Sequence, residues 1–499
     1  MAEVNRSSRF AIVEEVTEGT PVSPTAAGDY IALQEGFSLT PNFEVLENAE
    51  LSGSIGRKEP TLGIEQPTAS IQHYFRASGT ENTAPNFGSL VKSALGATSS
   101  KGTERDTVSS STTSVLNVDT GEGAEFERGM AVLVKDGTNG YSIRPVHSIS
   151  TDALTLGFNL ANAPASGVNL GRAILYKPAD TGHQSLSCWL YRSNGASVEM
   201  IAGAKVSSMN IEFPAGQYIN GSFELVGSKY YFDPIEITSS NKYIDFNDGG
   251  GEENASITEK VYTDPVELAA AIEAAMDALT ADNITVTYSS STGKFTIASD
   301  GGTLSLLWNS GSNTANTIGA SLGFSVAADD TGATTYTSDN AITLSSPQTP
   351  SFDDTSPLVA KNNTLFVGDA TDNVCLSASN VSVNVTNTIQ DVLSICAESG
   401  VAEKVHNLRE IEIVIDALGT QYDVDKFKRY RANDTTRFMY VAGEKSGGNW
   451  VAGKNVCLYC PTAKISGFEP TDRDGLYSIN LTLTAFVSDS LGEFYINFI

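Results

Sequence analysis

The sequence predicts a mainly β protein in which one β-unit occurs twice, with two further modules inserted. The first observation is an internal repeat: Ala204-Lys205-Val206-Ser207, followed by Gly216-Gln217-Tyr218, recurs 259 residues later (463 − 204) as Ala463–Ser466 and Gly475-Leu476-Tyr477. The second is a composition with only 18% charged residues and many Ser, Thr, Gly and Asn residues, which suits strands joined by short turns. Tandem copies of one unit without a catalytic motif are more typical of a building element than of an enzyme.

Charge and hydropathy narrow the class of protein. The chain of 499 residues carries a formal net charge of −28, which argues against a protein that grips nucleic acid through phosphate contacts. The same charge is compatible with a protein whose acidic surface repels phosphate, so that nucleic acid passes along it without adhering. No run approaches the roughly 18 apolar residues of a membrane helix. We predict no signal peptide, because the N-terminus lacks a basic segment followed by an apolar one.

The first unit is predicted as an arm over residues 1–36 and a domain in two parts, 37–101 and 183–236. The arm is polar and rich in turn residues, and we expect it to be extended rather than part of a core. A short amphipathic helix ends before Gly96 at C′, and its apolar face comprises Phe87, Leu90, Val91, Ala94 and Leu95. The predicted strands are Phe37–Leu51, Ala69–Phe75, Ser185–Arg192, Val198–Ile201 and Tyr218–Val226.

Two insertions interrupt this pattern. Residues 102–182 alternate short apolar stretches with Gly, Asn and Asp turns, and we expect a small β domain there. Residues 237–345 predict an α+β module. Its helix begins after Asp264 as N-cap, with Pro265 at N1 and Glu267 at N3 completing a capping box. A hairpin then joins Ile284–Tyr288 to Lys294–Ile297.

Residues 346–499 repeat the order of the first unit. Strands are predicted over Cys375–Val385, Glu410–Ile415 and Arg437–Val441, followed by a closing hairpin. A helix is predicted over Val424–Tyr430. Its buried stripe is expected to comprise Tyr422, Phe427 and Tyr430.

The closing strands of the two copies differ in apolar register. A shift of one residue turns every side chain to the other face of a sheet. Either a bulge therefore intervenes, or the two copies use this strand differently. The apolar residues concerned are Ile219, Phe223 and Leu225 in the first copy and Ile479, Leu481 and Leu483 in the second.

The cysteines do not form a recognisable metal or redox motif. Cys457 and Cys460 have the spacing of half a zinc site, but zinc requires four ligands and the sequence has no second such pair. Residues three apart on a strand also face opposite sides. We predict small buried thiols in a reducing compartment. The full set is Cys188, Cys375, Cys396, Cys457 and Cys460.

The other polar candidates point to no catalytic or cofactor chemistry. Asp245, Asn247 and Asp248 suggest a calcium loop, but Gly249 stands where an oxygen ligand is needed. A flexible, solvated acidic loop is therefore predicted, and Asp329-Asp330 is predicted as a turn. No catalytic, cofactor-binding or metal-ligating residue is predicted. The four histidines lie far apart in sequence and are predicted to be structural or surface residues: His73, His147, His183 and His406.

One cluster is basic and interleaved with aromatic residues, namely Lys426-Phe427-Lys428-Arg429-Tyr430-Arg431. A nucleic-acid stripe is one interpretation. In so acidic a chain, pairing with an acidic surface of a neighbouring subunit is the favoured interpretation, because interfaces match opposite potentials.

Several motifs also occur in a recognisable order: Gly19–Pro24, Phe37-Ser38-Leu39, Leu46–Leu51, Arg57, Gly63 and Ala94-Leu95-Gly96. This order, with the duplication, resembles the tail tube (major tail) proteins of long-tailed bacteriophages. The resemblance covers 1–100, 183–236 and 350–499, somewhat over half the chain. Residues 237–345 resemble a module that recurs in phage virion proteins, through Gly293–Ile297 and Ile318–Phe324.

The resemblance implies tube domains that are antiparallel β-sandwiches with one flanking helix, six to a ring. Two domains per chain imply three chains per ring, with pseudo-hexameric symmetry and a formal charge of 3 × −28 = −84. Stacked rings would form a hollow conduit for genomic DNA, with the arm bridging to the next ring and the insertions on the exterior. A non-contractile tail is favoured.

The same resemblance implies a structural virion protein, made in the host cytoplasm, without enzymatic activity, cofactor or membrane anchor. Its implied partners are copies of itself, a tape measure protein and tail terminator or tip proteins, with DNA passing through without specific binding. Two alternatives stay open from the sequence. One is a phage fibre or baseplate adhesin that binds a host-surface glycan. The other is a glycan-degrading virion enzyme, which would need two carboxylates facing each other across a cleft.

Overall fold

The structure is a computed structural model that describes residues 5–50, 56–100, 104–137, 140–193, 195, 197–342, 349–352, 355–397, 399–419, 423–488 and 492–499. Antiparallel strands dominate it, so the predicted mainly β class is confirmed. Up to residue 178 the elements are β1 (Arg9–Glu14), β2 (Tyr30–Ile31), β3 (Ser38–Thr40), β4 (Phe43–Leu46), β5 (Thr61–Glu65), β6 (Thr68–Tyr74), α1 (Gly88–Leu95), β7 (Gly96–Ser99), β8 (Arg105–Asp106), β9 (Val115–Asn117), β10 (Ala131–Lys135), β11 (Tyr141–Ser150), β12 (Ala153–Leu156), β13 (Asn169–Arg172) and β14 (Ile174–Pro178).

The remaining elements follow in chain order. From 186 to 337 they are β15 (Leu186–Arg192), β16 (Ser197–Glu212), β17 (Asn220–Val226), β18 (Lys229–Phe232), β19 (Ile235–Ile237), β20 (Tyr243–Asn247), β21 (Glu253–Ser256), β22 (Lys260–Tyr262), α2 (Pro265–Asp277), β23 (Ile284–Ser289), β24 (Lys294–Ser299), β25 (Leu304–Leu306), α3 (Gly319–Leu322), β26 (Asp330–Ala333) and β27 (Thr335–Thr337). From 364 they are β28 (Thr364–Gly368), β29 (Ala378–Leu393), β30 (Val401–Leu418), α4 (Asp423–Ala432), β31 (Thr435–Ser446), β32 (Asn449–Arg473), β33 (Leu476–Ala485) and β34 (Tyr495–Phe498).

Two sets of elements share one pattern of strand pairing. The first unit comprises β1–β6, α1 and β15–β18, and the second comprises β28–β34 and α4. In the first unit β1 pairs with β15, β15 with β16, β16 with β17 and β18, and β17 with β6. In the second unit β28 pairs with β31, β31 with β32, β32 with β33 and β34, and β33 with β30. Within its own unit, each of the long strands β16 and β32 therefore pairs with an equivalent set of strands.

The repeated sequence motif lies in these long strands and carries the same irregularity in both. The pairing of β16 with β17 shifts between Val206 and Ser208, and the pairing of β32 with β33 shifts between Ile465 and Gly467. Both shifts are β-bulges at equivalent positions, since 206 + 259 = 465. A bulge bends its strand, so each long strand can pass from one sheet of its unit into the other.

The mismatch in apolar register is absorbed in the connection after the long strand. Between the equivalent pairs Glu212↔Asn220 and Thr471↔Ser478, the chain has seven residues in the first unit, 213–219, and six in the second, 472–477, where the ladder continues to a two-residue turn. Leu225 and Leu483 consequently occupy the same position, opposite Val206 and Ile465. Both copies therefore bury the same face, and the segment that is one residue shorter in the second unit explains the shift, because the bulge is common to both.

The helices α1 and α4 occupy equivalent positions but differ in burial. Glu14 at the end of β1 pairs with Lys92 of α1, and Asp369 after β28 pairs with Arg429 of α4. The residue after each helix, Gly96 or Asn433, has a positive φ of 109° or 58°, a conformation that favours Gly and Asn. This alignment equates residues 337 positions apart (433 − 96).

The predicted apolar face of α1 is buried, whereas that predicted for α4 is wrong. Leu90, with its α1 neighbours Val91, Ala94 and Leu95, is completely buried. Phe427 and Tyr430 of α4 are instead 45% and 39% exposed, and both contact the ring of Phe468. Tyr422 lies outside the described residues. The difference arises because β7 and β14 pack against α1 in addition to its long strand, whereas α4 packs mainly on β32. Asn387 and Arg409 of the second unit also donate hydrogen bonds to carbonyl groups at the C-terminus of α1.

The two units join edge to edge in one eight-stranded central sheet. Its order is β3-β6-β17-β16-β29-β30-β33-β32. The junction is the antiparallel pairing of β16 with β29, from Ser208↔Thr386 to Glu212↔Ser382. Apolar side chains of this sheet face the main core, together with α1 and the strands around β15 and β31.

The first insertion forms a six-stranded sheet, β8-β13-β10-β11-β12-β9. Its core is continuous with side chains of the second unit, among them Phe366, Met439 and Tyr459. In addition, the side-chain amide oxygen of Asn497 accepts a hydrogen bond from the backbone N–H of Ala131. The module is thus inserted into the first unit in sequence but packs against the second unit in space.

The second insertion has a hydrophobic core of its own around α2. Asp264 caps α2 through Val266 N–H at 2.8 Å, as predicted. The predicted capping box is not formed, because the carboxylate of Glu267 pairs with Lys260 instead. The predicted hairpin is confirmed as β23–β24.

The prediction of an extended arm over 1–36 is wrong for a part of this segment. β1 pairs with β15, and its residues Phe10, Ala11 and Ile12 are buried, as are Tyr30 and Ile31 of β2. The N-terminal segment thus contributes a strand and core side chains to the first unit. Of the predicted strand Phe37–Leu51, β3 and β4 are present, while Leu51 lies outside the described residues.

The contrast between α1 and α4 yields a matched pair of substitutions at equivalent positions, since 90 + 337 = 427. Leu90→Ala should lower the free energy of unfolding by about 2–5 kcal/mol, because it leaves a cavity in a filled core. Phe427→Ala should cost less than about 1 kcal/mol in the unassembled chain, because its ring is half exposed. Urea unfolding of the unassembled chain measures both, and similar losses would contradict the assignment of α4 to the surface.

Candidate functional site: the central sheet and its open edges

The face of the central sheet opposite the core is polar and acidic. Strand alternation places uncharged Ser, Thr, Asn and Gln side chains on this face, between the buried apolar positions. Among the described residues, six carboxylates lie on this face and its middle rows contain no basic side chain. The acidic residues are Glu212, Glu224, Glu410, Glu412, Asp416 and Glu469.

Basic residues on this face lie at strand ends and are engaged. Lys205 pairs with Glu18 at 2.7 Å and donates to the carbonyl of Lys404. Lys464 lies over the ring of Phe486, and Arg473 pairs with Asp416. The middle of the sheet therefore presents hydrogen-bonding groups and negative charge, a surface that repels phosphate.

The central sheet ends in two open edges. In the part of the chain that the structure describes, β3 pairs only with β6, and the end of β32 after the bulge pairs only with β33. The N–H of Gln66 donates to the carbonyl of Asn42 at 2.7 Å. Since alternate residues direct their backbone groups to opposite sides, Leu39 and Pro41 direct theirs toward the open edge.

The other edge has the same character. Arg473 and Leu476 flank a two-residue turn, and such flanking residues exchange hydrogen bonds. By alternation Phe468 and Pro470 then direct their backbone groups outward. Each open edge thus carries an exposed proline, Pro41 or Pro470. Any other residue at that position would direct its backbone N–H toward the open edge. Prolines in such places discourage unspecific strand addition.

The CxxC pair is divided between two cores. Cys457 lies in the core beneath the first insertion and Cys460 in the main core, on opposite faces of β32 as predicted. Burial raises the pKa of both thiols to about 12. Cys188 is buried too, but Cys375 and Cys396 are exposed, so the prediction of buried thiols is wrong for these two.

The fold brings two of the four histidines together. The rings of His183 and His406 stack with centroids 3.8 Å apart, and burial lowers the pKa of His406 to about 3. His73 packs among Phe75, Phe87 and Phe223, and burial lowers its pKa to about 4. No sequence pattern indicates the stacked pair, because its members lie more than two hundred residues apart.

The last histidine and the acidic loop are parts of hydrogen-bonded structure. His147 shares a hydrogen bond with the hydroxyl of Tyr459 at 2.8 Å, and burial lowers its pKa to about 4. Asp245 is buried, against the prediction of a solvated loop, and its carboxylate accepts hydrogen bonds from Asn254 and Asn313. Among the described residues, no group of three or more His, Cys, Asp or Glu side chains could hold a metal ion.

The prediction of a turn at Asp329-Asp330 is wrong, because Asp330 is the first residue of a strand. Asp329 accepts hydrogen bonds from the backbone N–H groups of Asn309 and Ser310. Asp330 begins β26 and accepts from the indole N–H of Trp308 at 2.9 Å. Both carboxylates therefore fix the segment after β25.

The basic cluster on α4 is half engaged within the chain. Arg429 pairs with Asp369 at 2.7 Å and with Asp425 at 3.0 Å, and the bond to Asp369 raises the pKa of Arg429. Lys426 donates to the carbonyl of Val367. Lys428 and Arg431 are exposed, and neither has an ion-pair partner in the described part of the chain. Sequence reasoning singled out the cluster but not which of its cations point to solvent.

The fold and these surfaces define a mainly antiparallel β protein whose central sheet ends in open edges. Residues 5–232 match the family described as phage tail tube protein, a segment of 228 residues (232 − 5 + 1) that runs from before β1 to the end of β18. This segment is therefore similar to the phage tail tube proteins, and over these residues the resemblance found in the sequence is confirmed. The match gives no support to the adhesin alternative.

No curated protein matches the chain significantly. Among the described residues, no helix has the length and apolar character needed to span a membrane.

Proposed function

We propose that three copies of this chain close into a ring, and that stacked rings form the hollow tail tube through which genomic DNA leaves the virion. The observation that carries the proposal is the internal junction of β16 with β29. Two units with the same strand pairing meet there edge to edge, and the same two kinds of edge stay open at the ends of the central sheet. Repeating the junction between chains satisfies both edges.

On this proposal the chain carries two tube domains in tandem, so that a ring of three chains contains six. The first domain consists of 37–101 and 183–236, joined by the strand from the N-terminal segment, and the second of 346–499. The insertions 102–182 and 237–345 lie outside the tube wall. The equal pairing patterns and the bulges shared by β16 and β32 support this division.

The proposed lumen is the polar face of the central sheet. Six carboxylates per chain give eighteen per ring (3 × 6), and uncharged hydrogen-bonding groups fill the positions between them. Phosphate groups are repelled by such a wall, so DNA can pass without adhering. Curvature of the ring with the apolar face outward also keeps the main core away from the lumen.

The proposed role is structural and not enzymatic, in a virion protein synthesised in the host cytoplasm. Its proposed partners are further copies of the chain, a tape measure protein inside the tube, and the terminator and tip proteins at its ends. We favour a non-contractile tail. The tail tube family supports the structural role and the association with tail components.

Electron microscopy of the purified chain at high concentration tests the ring. Hollow tubes with a regular axial repeat and three-fold rings are expected, since each chain supplies two of six similar wall segments. Rings of six chains would refute the tandem domains while retaining the tube. Monomers or compact trimers that do not polymerise, even when seeded with tail tips, would contradict the tube itself.

The lumen assignment is tested with added lysines. Ser222→Lys and Asn480→Lys stand at equivalent positions of the two units, since 222 + 258 = 480, and place six lysines in each ring (3 × 2). Tubes assembled with short duplex DNA should then retain it in a salt-dependent manner, whereas unmodified tubes should release it. Ser291→Lys and Thr292→Lys, on the exposed turn of β23–β24, add the same charge elsewhere. Equal retention by both double variants would refute the assignment.

A further inference from the structure

We infer where the chains of a ring join: the end of β32 and helix α4 of one chain receive β3 and the β4–β5 hairpin of the next. The inference rests on the proposed ring and specifies its interface. The internal junction is the template for this interface. Within one chain, β29 and β30 of the second unit contact the first unit. In the ring, β3–β4 and β5–β6 of the next chain would contact the second unit in the same way. The partner is therefore another copy of this chain.

The internal junction has a backbone and a side-chain component. Along the backbone, β16 and β29 pair over five residues, and Phe213 N–H donates to the carbonyl of Val381 at 2.8 Å just beyond them. Beside this ladder, the extended β29–β30 hairpin lies across the C-terminus of α1. Asn387 donates to the carbonyl of Ala94 at 3.0 Å, and Arg409 to that of Leu95 at 2.9 Å.

The register between chains follows from the equivalences of the two units. A residue of β16 corresponds to the residue of β32 whose number is higher by 259. A residue of β29 corresponds to the residue of β3 or β4 whose number is lower by 344. The second offset follows because Val383 pairs with Ile413 as Leu39 pairs with Ala69, and Ile413 and Ala69 are themselves equivalent. The pair Asn210↔Asn384 becomes Glu469↔Thr40. The flanking pairs become Phe468↔Pro41 and Pro470↔Leu39.

The backbone ladder between chains is weaker than its template. In the internal junction Met209 and Ile211 exchange hydrogen bonds with Val385 and Val383. In the corresponding positions of the interface Pro41 and Pro470 have no N–H, so only Phe468 and Leu39 can donate. Half of these donors are missing, and side-chain contacts must therefore supply more of the association than they do inside the chain.

Apolar surfaces of suitable position are present on both sides. The β4–β5 hairpin exposes Phe43, Val45, Leu46 and Leu62 by 42%, 53%, 50% and 63%. The α4 surface exposes Val424, Phe427 and Tyr430. In the template the residues equivalent to Phe427 and Phe43 are Leu90 and Asn387, and both are buried. The interface would likewise cover the apolar groups that each chain leaves in water.

Charge is complementary across the same surfaces. On α4 the exposed Lys428 and Arg431 point away from the chain without an ion-pair partner in its described part. On the hairpin Glu44 and Glu59 are exposed, and its two cations, Arg57 and Lys58, already pair with Glu47 and Glu50. An excess of negative charge on the hairpin thus meets an excess of positive charge on the helix, which fixes partner and orientation.

Disulfide cross-linking tests the register directly. Glu469→Cys with Thr40→Cys is introduced in a chain whose exposed thiols are removed by Cys375→Ser and Cys396→Ser. Residues directly opposite in an antiparallel pair can form a disulfide, so oxidised tubes should yield covalent dimers and trimers on denaturing gels. Asn210→Cys with Asn384→Cys is the internal control and should form the bond within one chain.

A displaced pair makes the result specific. Glu469→Cys with Asn42→Cys moves one cysteine by two residues, and its cross-linking should be at least about tenfold slower, because diagonal neighbours lie farther apart. If tubes form and the displaced pair reacts as fast as the Thr40 pair, or neither reacts, the register is wrong while the tube proposal stands. If the parent chain forms no tubes, both proposals fall.

Charge reversal tests the contact between α4 and the hairpin. Arg431→Glu should leave the chain folded and raise the critical concentration for assembly at least about tenfold, because like charges then face each other. Adding Glu44→Lys and Glu59→Lys to that variant should restore assembly. Lys135→Glu, which reverses an exposed cation on the first insertion, is the matched control and should assemble normally. Assembly of Arg431→Glu at the concentration of the parent tubes, or no recovery in the triple variant, would overturn the contact.

Discussion

The architecture depends on the backbone pairing of β16 with β29. This pairing joins two units into one continuous sheet, and such a sheet has two faces and two open edges. One face is buried against α1 and the outer strands. The other face and the two open edges of the sheet are therefore exposed. The exposed face is the proposed lumen, and the open edges are the proposed interfaces between chains.

The two units have the same strand pairing but different surroundings. The first unit is covered by the paired strands β7 and β14 and by the β29–β30 hairpin of the second. The second unit receives the first insertion on its outer sheet, while α4 stays exposed. A duplicated fold in a linear chain necessarily leaves one copy of each interface unfilled, because the last unit has no successor. The proposed closed ring would fill it.

The open edges combine capacity for association with restraint. An unpaired strand invites addition of any other strand, which leads to aggregation. Pro41 and Pro470 each remove one outward donor, so that the edge alone is a poor template. Association then requires the side chains of α4 and the hairpin, which only a correctly oriented copy supplies.

The sequence by itself determined the features that depend on local pattern. The alternation of apolar and polar residues predicted the β class, and the motif repeated at Ser207 and Ser466 predicted that one β-unit occurs twice. The spacing of apolar residues before Gly96 predicted α1. Only the tertiary structure decided which strands are neighbours, since pairing of β16 with β29 joins segments about 170 residues apart and leaves no mark on local periodicity. The exposure of Phe427 follows for the same reason: an apolar stripe indicates that a surface will be covered, but not whether the cover belongs to the same chain.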